Sequence, residues 1–145
     1  DTPNYNIPHK DSITIWQLLT HRAGVFDPVN DDTSFLDSVL ASDPNYTFSF
    51  DDVIGYVARL QQSYFLPGTD YKYSNAGYVL LAKIIERVSG KSYQQFMNDE
   101  FIIPLELTAT SFPDQGSEQT LPTPFINTMA WVYGQTLDLT EQNMT

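Results

Sequence analysis

Apolar residues return at helical spacing along much of this chain, and proline, glycine and aspartate clusters separate the stretches. After a polar lead-in from Asp1 to Asp11 that holds Pro3 and Pro8, Thr14 stands as an N-cap with Gln17 three residues on, the spacing of a capping box. That places Ile15, Trp16, Leu18 and Leu19 inward on a helix stopping near Gly24, followed by a loop from Phe26 to Asp32. Residues Thr33 to Ala41 put Phe35, Leu36, Val39 and Leu40 on one helical face, and Asp43-Pro44-Asn45 breaks it. Ser49 then caps a helix carrying Phe50, Val53, Ile54, Val57 and Leu60, with Asp51 and Asp52 complementing its positive end.

The longest pattern begins at Asn75. Tyr78, Leu81, Ile85 and Val88 form its expected inner stripe, Leu80 and Ile84 widen it, and Lys83, Glu86 and Arg87 mark the wet side. Gly90 ends it in the left-handed position. Ser92 with Gln95 opens a further helix bearing Tyr93, Phe96, Met97 and Phe101, which Pro104 terminates. Asp114 to Pro124 reads as loop. Alternation at Met129, Trp131 and Tyr133, a turn at Gly134-Gln135, and alternation again at Leu137 and Leu139 predict a short β-hairpin. The pattern is mainly α, with residues 1–145 expected to form one domain.

Composition narrows the function classes. With 41% hydrophobic and 14% aromatic residues the chain is globular rather than disordered. A net charge of −11 argues against nucleic acid or an anionic membrane surface as partner, because both require basic patches. The lack of cysteine excludes disulfides, thiolate catalysis and zinc–thiolate sites. No apolar run has the length of a membrane span, and no metal-ligand cluster or glycine-rich phosphate loop is present. Asp51 and Asp52 are not a catalytic carboxylate pair, since adjacent helical residues do not face each other. His21, in the last turn of its helix, is expected to be a structural, hydrogen-bonded histidine rather than a catalytic base.

The chemistry concentrates where Pro67-Gly68-Thr69-Asp70 gives way to Tyr73-Ser74-Asn75, three polar-tipped residues at a helix start. Ser74 or Asn75 can accept from the free amides of the first turn. Pro-Gly-Thr followed by Tyr-Ser-Asn resembles the second motif of the serine β-lactamase and penicillin-binding-protein superfamily, in the branch of class C β-lactamases, D-alanyl-D-alanine carboxypeptidases and related esterases. Ile13–Gly24 (ITIWQLLTHRAG) resembles the Leu-Leu-Thr-His-x-x-Gly helix of that family, with Arg22-Ala23 where Thr-Ser is common. Gly77–Gly90 is similar to the helix after the tyrosine motif. Ile103-Pro104-Leu105 with Thr110-Ser111-Phe112 resembles its Pro-Leu-Gly-Met…Thr-x-Phe segment, although Glu106-Leu107 replaces Gly-Met.

Two parts of the family pattern are missing. No serine is followed by lysine three residues later, and neither His9 nor His21 fits a third motif of the Lys-Thr-Gly or His-x-Gly kind. The resemblance therefore implies the helical domain of a β-lactamase/transpeptidase-like fold, an excised middle without its α/β domain and without the nucleophile. It implies Tyr73 as catalytic proton shuttle and Asn75 as the polar substrate contact, with no metal or organic cofactor. The implied substrate is a small molecule, a peptide, a β-lactam or an ester. The implied partner is the α/β domain of the same protein, and the implied compartment is the periplasm or cell envelope. For a tyrosine to act as base its hydroxyl must be brought down by roughly three pH units, about 4 kcal/mol, which neighbouring lysines can supply. Those lysines belong to the missing motifs, so the segment alone is expected to be inactive. A non-catalytic interaction domain that kept the fold, or an esterase on the same scaffold, is the alternative.

Overall fold

The computed structural model describes residues 5–41, 46, 48–110, 129–132 and 135–138. It divides into two compact units, Asp1–Tyr93 and Gln94–Thr145.

In the first unit a 3-10 turn, Lys10–Ser12, leads into α1 (Ile15–Leu19), α2 (Pro28–Asp31), α3 (Thr33–Leu40), α4 (Phe50–Leu60) and α5 (Asn75–Ser89). The local signals explain the starts. The Thr14 hydroxyl accepts from the Gln17 amide while the Gln17 side chain accepts from the Thr14 amide, closing the expected capping box. Ser49 and Asp52 close a second box at α4, and Ser74 caps α5 by accepting from the Gly77 amide. Gly90 ends α5 at φ 69°.

The core joins Ile7 of the lead-in, Leu18 of α1, Ala23 and Val25 of the loop behind it, Val53, Ile54 and Val57 of α4, and Ala76 of α5. The inner side of α5 follows the stripe read from the sequence at Leu80, Leu81 and Ile84 and departs from it at Tyr78 and Val88. Ala76 and Gly77 are buried, Leu80 and Ile84 pack against the core, and Tyr78 and Val88 are exposed, Val88 to 79%. Ala76, Leu80 and Ile84 follow the i, i+4 rule. The expectation ranked positions by side-chain size, whereas close approach of α5 to α1 selects its small residues. Likewise only Leu18 of α1 is buried. Ile15, Trp16 and Leu19 are exposed, because a helix of five residues turns a single side to the core.

Two boundaries also move. α1 stops at Leu19, with the Thr20 hydroxyl donating back to the Trp16 carbonyl and His21 at φ 55°, so the chain leaves the helix before Gly24. The loop expected at Phe26–Asp32 contains α2: Asp27 is its N-cap and Pro28 its first residue, a position where the missing proline N–H costs nothing.

In the second unit α6 (Tyr93–Met97) runs on as a π-helical turn, Asn98–Ile102, with the Phe96 and Phe101 rings 6.1 Å apart. Turns follow through Pro104 to Thr110. Strands β1 (Met129–Val132) and β2 (Gln135–Asp138) pair antiparallel, Val132 opposite Gln135 and Met129 opposite Asp138. The expected break at Asp43-Pro44-Asn45, Ser111-Phe112 of the motif, the expected loop Asp114–Pro124, and Tyr133, Gly134 and Leu139 of the expected hairpin fall outside the described residues.

Candidate active site

The site is built where the stretch after α1 runs beside the stretch before α5. Backbone amides of Tyr64, Gly68 and Lys72 donate to the carbonyls of Gly24, Arg22 and His21 at 2.8, 2.8 and 3.1 Å. A bridge joins Val25 to Ser63. Gly24 permits this approach. At φ 71° a side chain there would place its Cβ 2.1 Å from the Phe65 carbonyl oxygen.

This stitching delivers Tyr73, Ser74 and Asn75 to the first turn of α5, each with a distinct fate. Ser74 is buried and occupied as the cap. Tyr73 is 52% exposed, and its hydroxyl donates to Asn75 Oδ1 at 2.9 Å. The two residues named from the motif are thus in direct contact, with the phenol ring facing solvent. The crevice behind them, lined in part by Leu18, His21, Val25, Ser74 and Gly77, holds about 10 Å³. That is room for about one water.

His21 braces the motif from within. Its Nδ1 accepts from the Ser74 amide at 3.3 Å, which leaves the ring proton of the neutral tautomer on Nε2. The imidazole lies 4.5 Å from the Tyr73 ring and 5.0 Å from the Tyr78 ring, with Tyr71 edge-on at 6.2 Å. Tyr78 in turn donates to the Leu19 carbonyl at 3.0 Å. His21 is hydrogen-bonded, as expected, but from outside α1 and as an acceptor, not from the last helical turn serving its carbonyls.

Lys72, adjacent to Tyr73, is engaged elsewhere. Its ammonium lies 2.5 Å from Asp31 Oδ2 and 4.1 Å from the centre of the Tyr64 ring. The Tyr64 hydroxyl donates to the same Asp31 oxygen at 2.5 Å and accepts from the Asp27 amide at 3.0 Å. The hydrogen bonds from Lys72 and Tyr64 hold the Asp31 carboxyl below the usual carboxylate range. Burial, then the hydrogen bond to Asp31, pushes the Tyr64 phenol up.

Asp27 lies beneath Asn75, and sequence reasoning passed it over as loop. It is fully buried. Its Oδ1 accepts from the Val29 amide at 3.1 Å. Its Oδ2 accepts from Asn30 Nδ2 at 2.9 Å, the Asn75 amide at 2.9 Å and Asn75 Nδ2 at 3.0 Å. One carboxylate therefore caps α2 and also serves the first N–H of α5, an anion at two positive helix ends. The signal that could have found it is Asp-Pro, an N-cap directly before proline. Among the described residues no group of His, Asp or Glu side chains comes together to hold a metal, and no helix is long and apolar enough to cross a membrane.

Known proteins share the sequence pattern and the fold of this chain. Residues 2–129 match the family model described as Beta-lactamase. Protein flp of Staphylococcus aureus is 30% identical over 109 residues, 75% of this chain and 20% of that protein. Penicillin-binding protein 4* of Bacillus subtilis is 32% identical over 100 residues, 68% of this chain and 21% of that protein. The chain thus spans about a fifth of the length of these relatives. Among solved structures, a D-stereospecific amidohydrolase from Streptomyces sp. superposes with a TM-score of 0.79 at 25% identity, covering 95% of this chain and 41% of that one.

Proposed function

The chain belongs to the beta-lactamase family, and from that premise we propose that it is the helical part of a serine hydrolase, presenting Tyr73 and Asn75 to a nucleophilic serine outside residues 1–145. The observation that carries this reading is the 2.9 Å contact between the Tyr73 hydroxyl and Asn75 Oδ1 at the start of α5, with the tyrosine open to solvent. In the proposed reaction the serine oxygen attacks a substrate carbonyl, and its proton passes through Tyr73 to the leaving group. Water then hydrolyses the acyl-enzyme. Asn75, with an N–H beyond the one given to Asp27, donates to the polar group beside the reacting carbonyl.

Similarity to an amidohydrolase and to a penicillin-binding protein favours an amide or β-lactam carbonyl over an ester. The partner is an α/β part of the same protein, carrying the serine and the lysines that activate Tyr73. The chain of residues 1–145 has no Ser-x-x-Lys and is expected to stay unlabelled by a fluorescent penicillin.

The test begins with the coding sequence on either side of this segment, which should encode Ser-x-x-Lys upstream and Lys-Thr-Gly or His-x-Gly downstream. The protein so encoded should be labelled by fluorescent penicillin. Tyr73→Phe should slow labelling by at least about a hundredfold, the ordinary contribution of a positioned proton carrier. Labelling of Tyr73→Phe at the parent rate would remove the tyrosine from the mechanism. Flanks without the serine would make the domain a binding module.

A further inference from the structure

We propose that Asp27 is a positioning residue that fixes which way round the Asn75 carboxamide sits, and through it the direction of the hydrogen bond from Tyr73. The inference rests on the reading of Tyr73 and Asn75 given above and assigns the group that sets their polarity.

A carboxamide is nearly symmetrical in shape, so packing alone hardly distinguishes its oxygen from its nitrogen. Chemistry does. All four partners of the two Asp27 oxygens are N–H donors, supplied by Val29, Asn30 and Asn75. A carboxylate only accepts, so the edge of Asn75 facing it must be Nδ2. Turning the amide over would set Oδ1 against Asp27 Oδ2, two lone-pair-bearing oxygens at hydrogen-bond distance in a fully buried place.

With Nδ2 held inward, Oδ1 faces the Tyr73 hydroxyl and the phenol becomes the donor of the 2.9 Å bond. The lone pairs of the phenol oxygen are then left to accept a hydrogen bond from a serine hydroxyl, whose proton the tyrosine takes up only after losing its own. The second N–H of Asn75 is left for substrate. Asp27 reaches Asn75 twice, through backbone and side chain, so it fixes both where the residue is and which face it shows. The other hydrogen bonds of Asp27 anchor it independently of Asn75: Val29 and Asn30 belong to α2, and its own amide is held by Tyr64.

The experiment follows the two side-chain N–H protons of Asn75 by ¹H–¹⁵N NMR on the protein of residues 1–145. In the wild type, the proton bound to Asp27 should exchange with water about tenfold or more slowly relative to its partner on the same nitrogen, as one retained buried hydrogen bond requires. Tyr73→Phe should keep this inequality and Asp27→Ala, which leaves no acceptor beside Asn75 Nδ2, should abolish it. Asn30→Ala, which strips Asp27 of another donor while sparing Asn75, should keep it, separating orientation of the amide from support of α2. Equal exchange in the wild type, or inequality lost in Tyr73→Phe, would overturn the proposal. Inequality that survives in a folded Asp27→Ala protein would do so too. Should Asp27→Ala fail to fold, the wild-type, Tyr73→Phe and Asn30→Ala measurements still decide it. None of these readings needs turnover, so loss of the proposed hydrolase activity and loss of this positioning role are detected separately.

Discussion

Gly24 and Gly90 sit at nearly the same backbone angle, φ 71° and 69°, yet replacing each by alanine should have very different costs. At Gly90 a Cβ would meet nothing within 4 Å, so Gly90→Ala carries only the left-handed penalty of an L-residue, about 1 kcal/mol. At Gly24 the same penalty applies, and the Cβ would also lie 2.1 Å from the Phe65 carbonyl oxygen and 3.1 Å from its carbon. No side-chain rotation relieves a collision with backbone. The two strands of chain must separate by about an ångström, loosening the 2.8 Å bond from the Tyr64 amide to the Gly24 carbonyl and the adjoining Val25–Ser63 bridge. Two or three such bonds at about 1 kcal/mol each, added to the backbone penalty, give about 3–4 kcal/mol. That is a large part of the 5–15 kcal/mol typical of a domain.

Urea unfolding followed by far-UV circular dichroism separates the two. For a slope of about 2 kcal/mol per molar, Gly90→Ala should lower the midpoint by about 0.5 M and Gly24→Ala by about 1.5–2 M, with the slope unchanged. Midpoints of the two variants within about 0.3 M of each other would refute the argument that close backbone approach, rather than φ alone, makes Gly24 necessary.

Further outcomes follow from the site. Ser74→Ala removes the cap of α5 and leaves the Gly77 amide without its acceptor, so it should cost about 1–2 kcal/mol by the same urea assay. Hydrogen bonds hold the Asp31 and Asp32 carboxyls low, from Lys72 and Tyr64 in the first case and from Ser34 and Tyr56 in the second. A carboxyl with a depressed folded pKa contributes stability above its unfolded value near 4 and loses it as pH falls through the folded value. Stability should therefore decline below about pH 4, and Lys72→Met should make that acid limb shallower in a pH series of thermal melts. The raised Tyr64 phenol has the opposite sign: its contribution is complete below about pH 10 and is lost at higher pH. Tyr64→Phe should be less stable at neutral pH, and its stability should fall less steeply above pH 10 than that of wild type.

The sequence was most legible where the physics is local. Thr14 with Gln17, Ser49 and Gly90 each bound or cap the helix end that their chemistry demands, because a cap is decided within four residues. The motif singled out Tyr73 and Asn75 but not their bond to each other, which the structure adds. What escaped was decided by partners far along the chain. Asp27 read as loop because its acceptors serve Asn75, 48 residues away, as well as its own turn. The first turn of α5 escaped because periodicity reports large apolar residues, while the packing of α5 against α1 selected Ala76 and Gly77 over the larger Tyr78; Leu80, Leu81 and Ile84 lie where the pattern put them. Trp16 and Ile15 carry the same lesson, since apolar character along five residues of α1 does not say which side meets the core.

The double cap at Asp27 also bears on timing. The first turn of α5 is complete only once residue 27 has been brought against residue 75, and closing a loop of that length costs about 3 kcal/mol of chain entropy. α4, with both of its caps nearby in sequence, has no such prerequisite. Asn75 therefore takes its final pose only after the long loop has shut. A chain in which residue 27 has not yet met residue 75 holds Asn75 without either of its bonds to Asp27, so the pose of this side chain reports closure of the whole intervening segment.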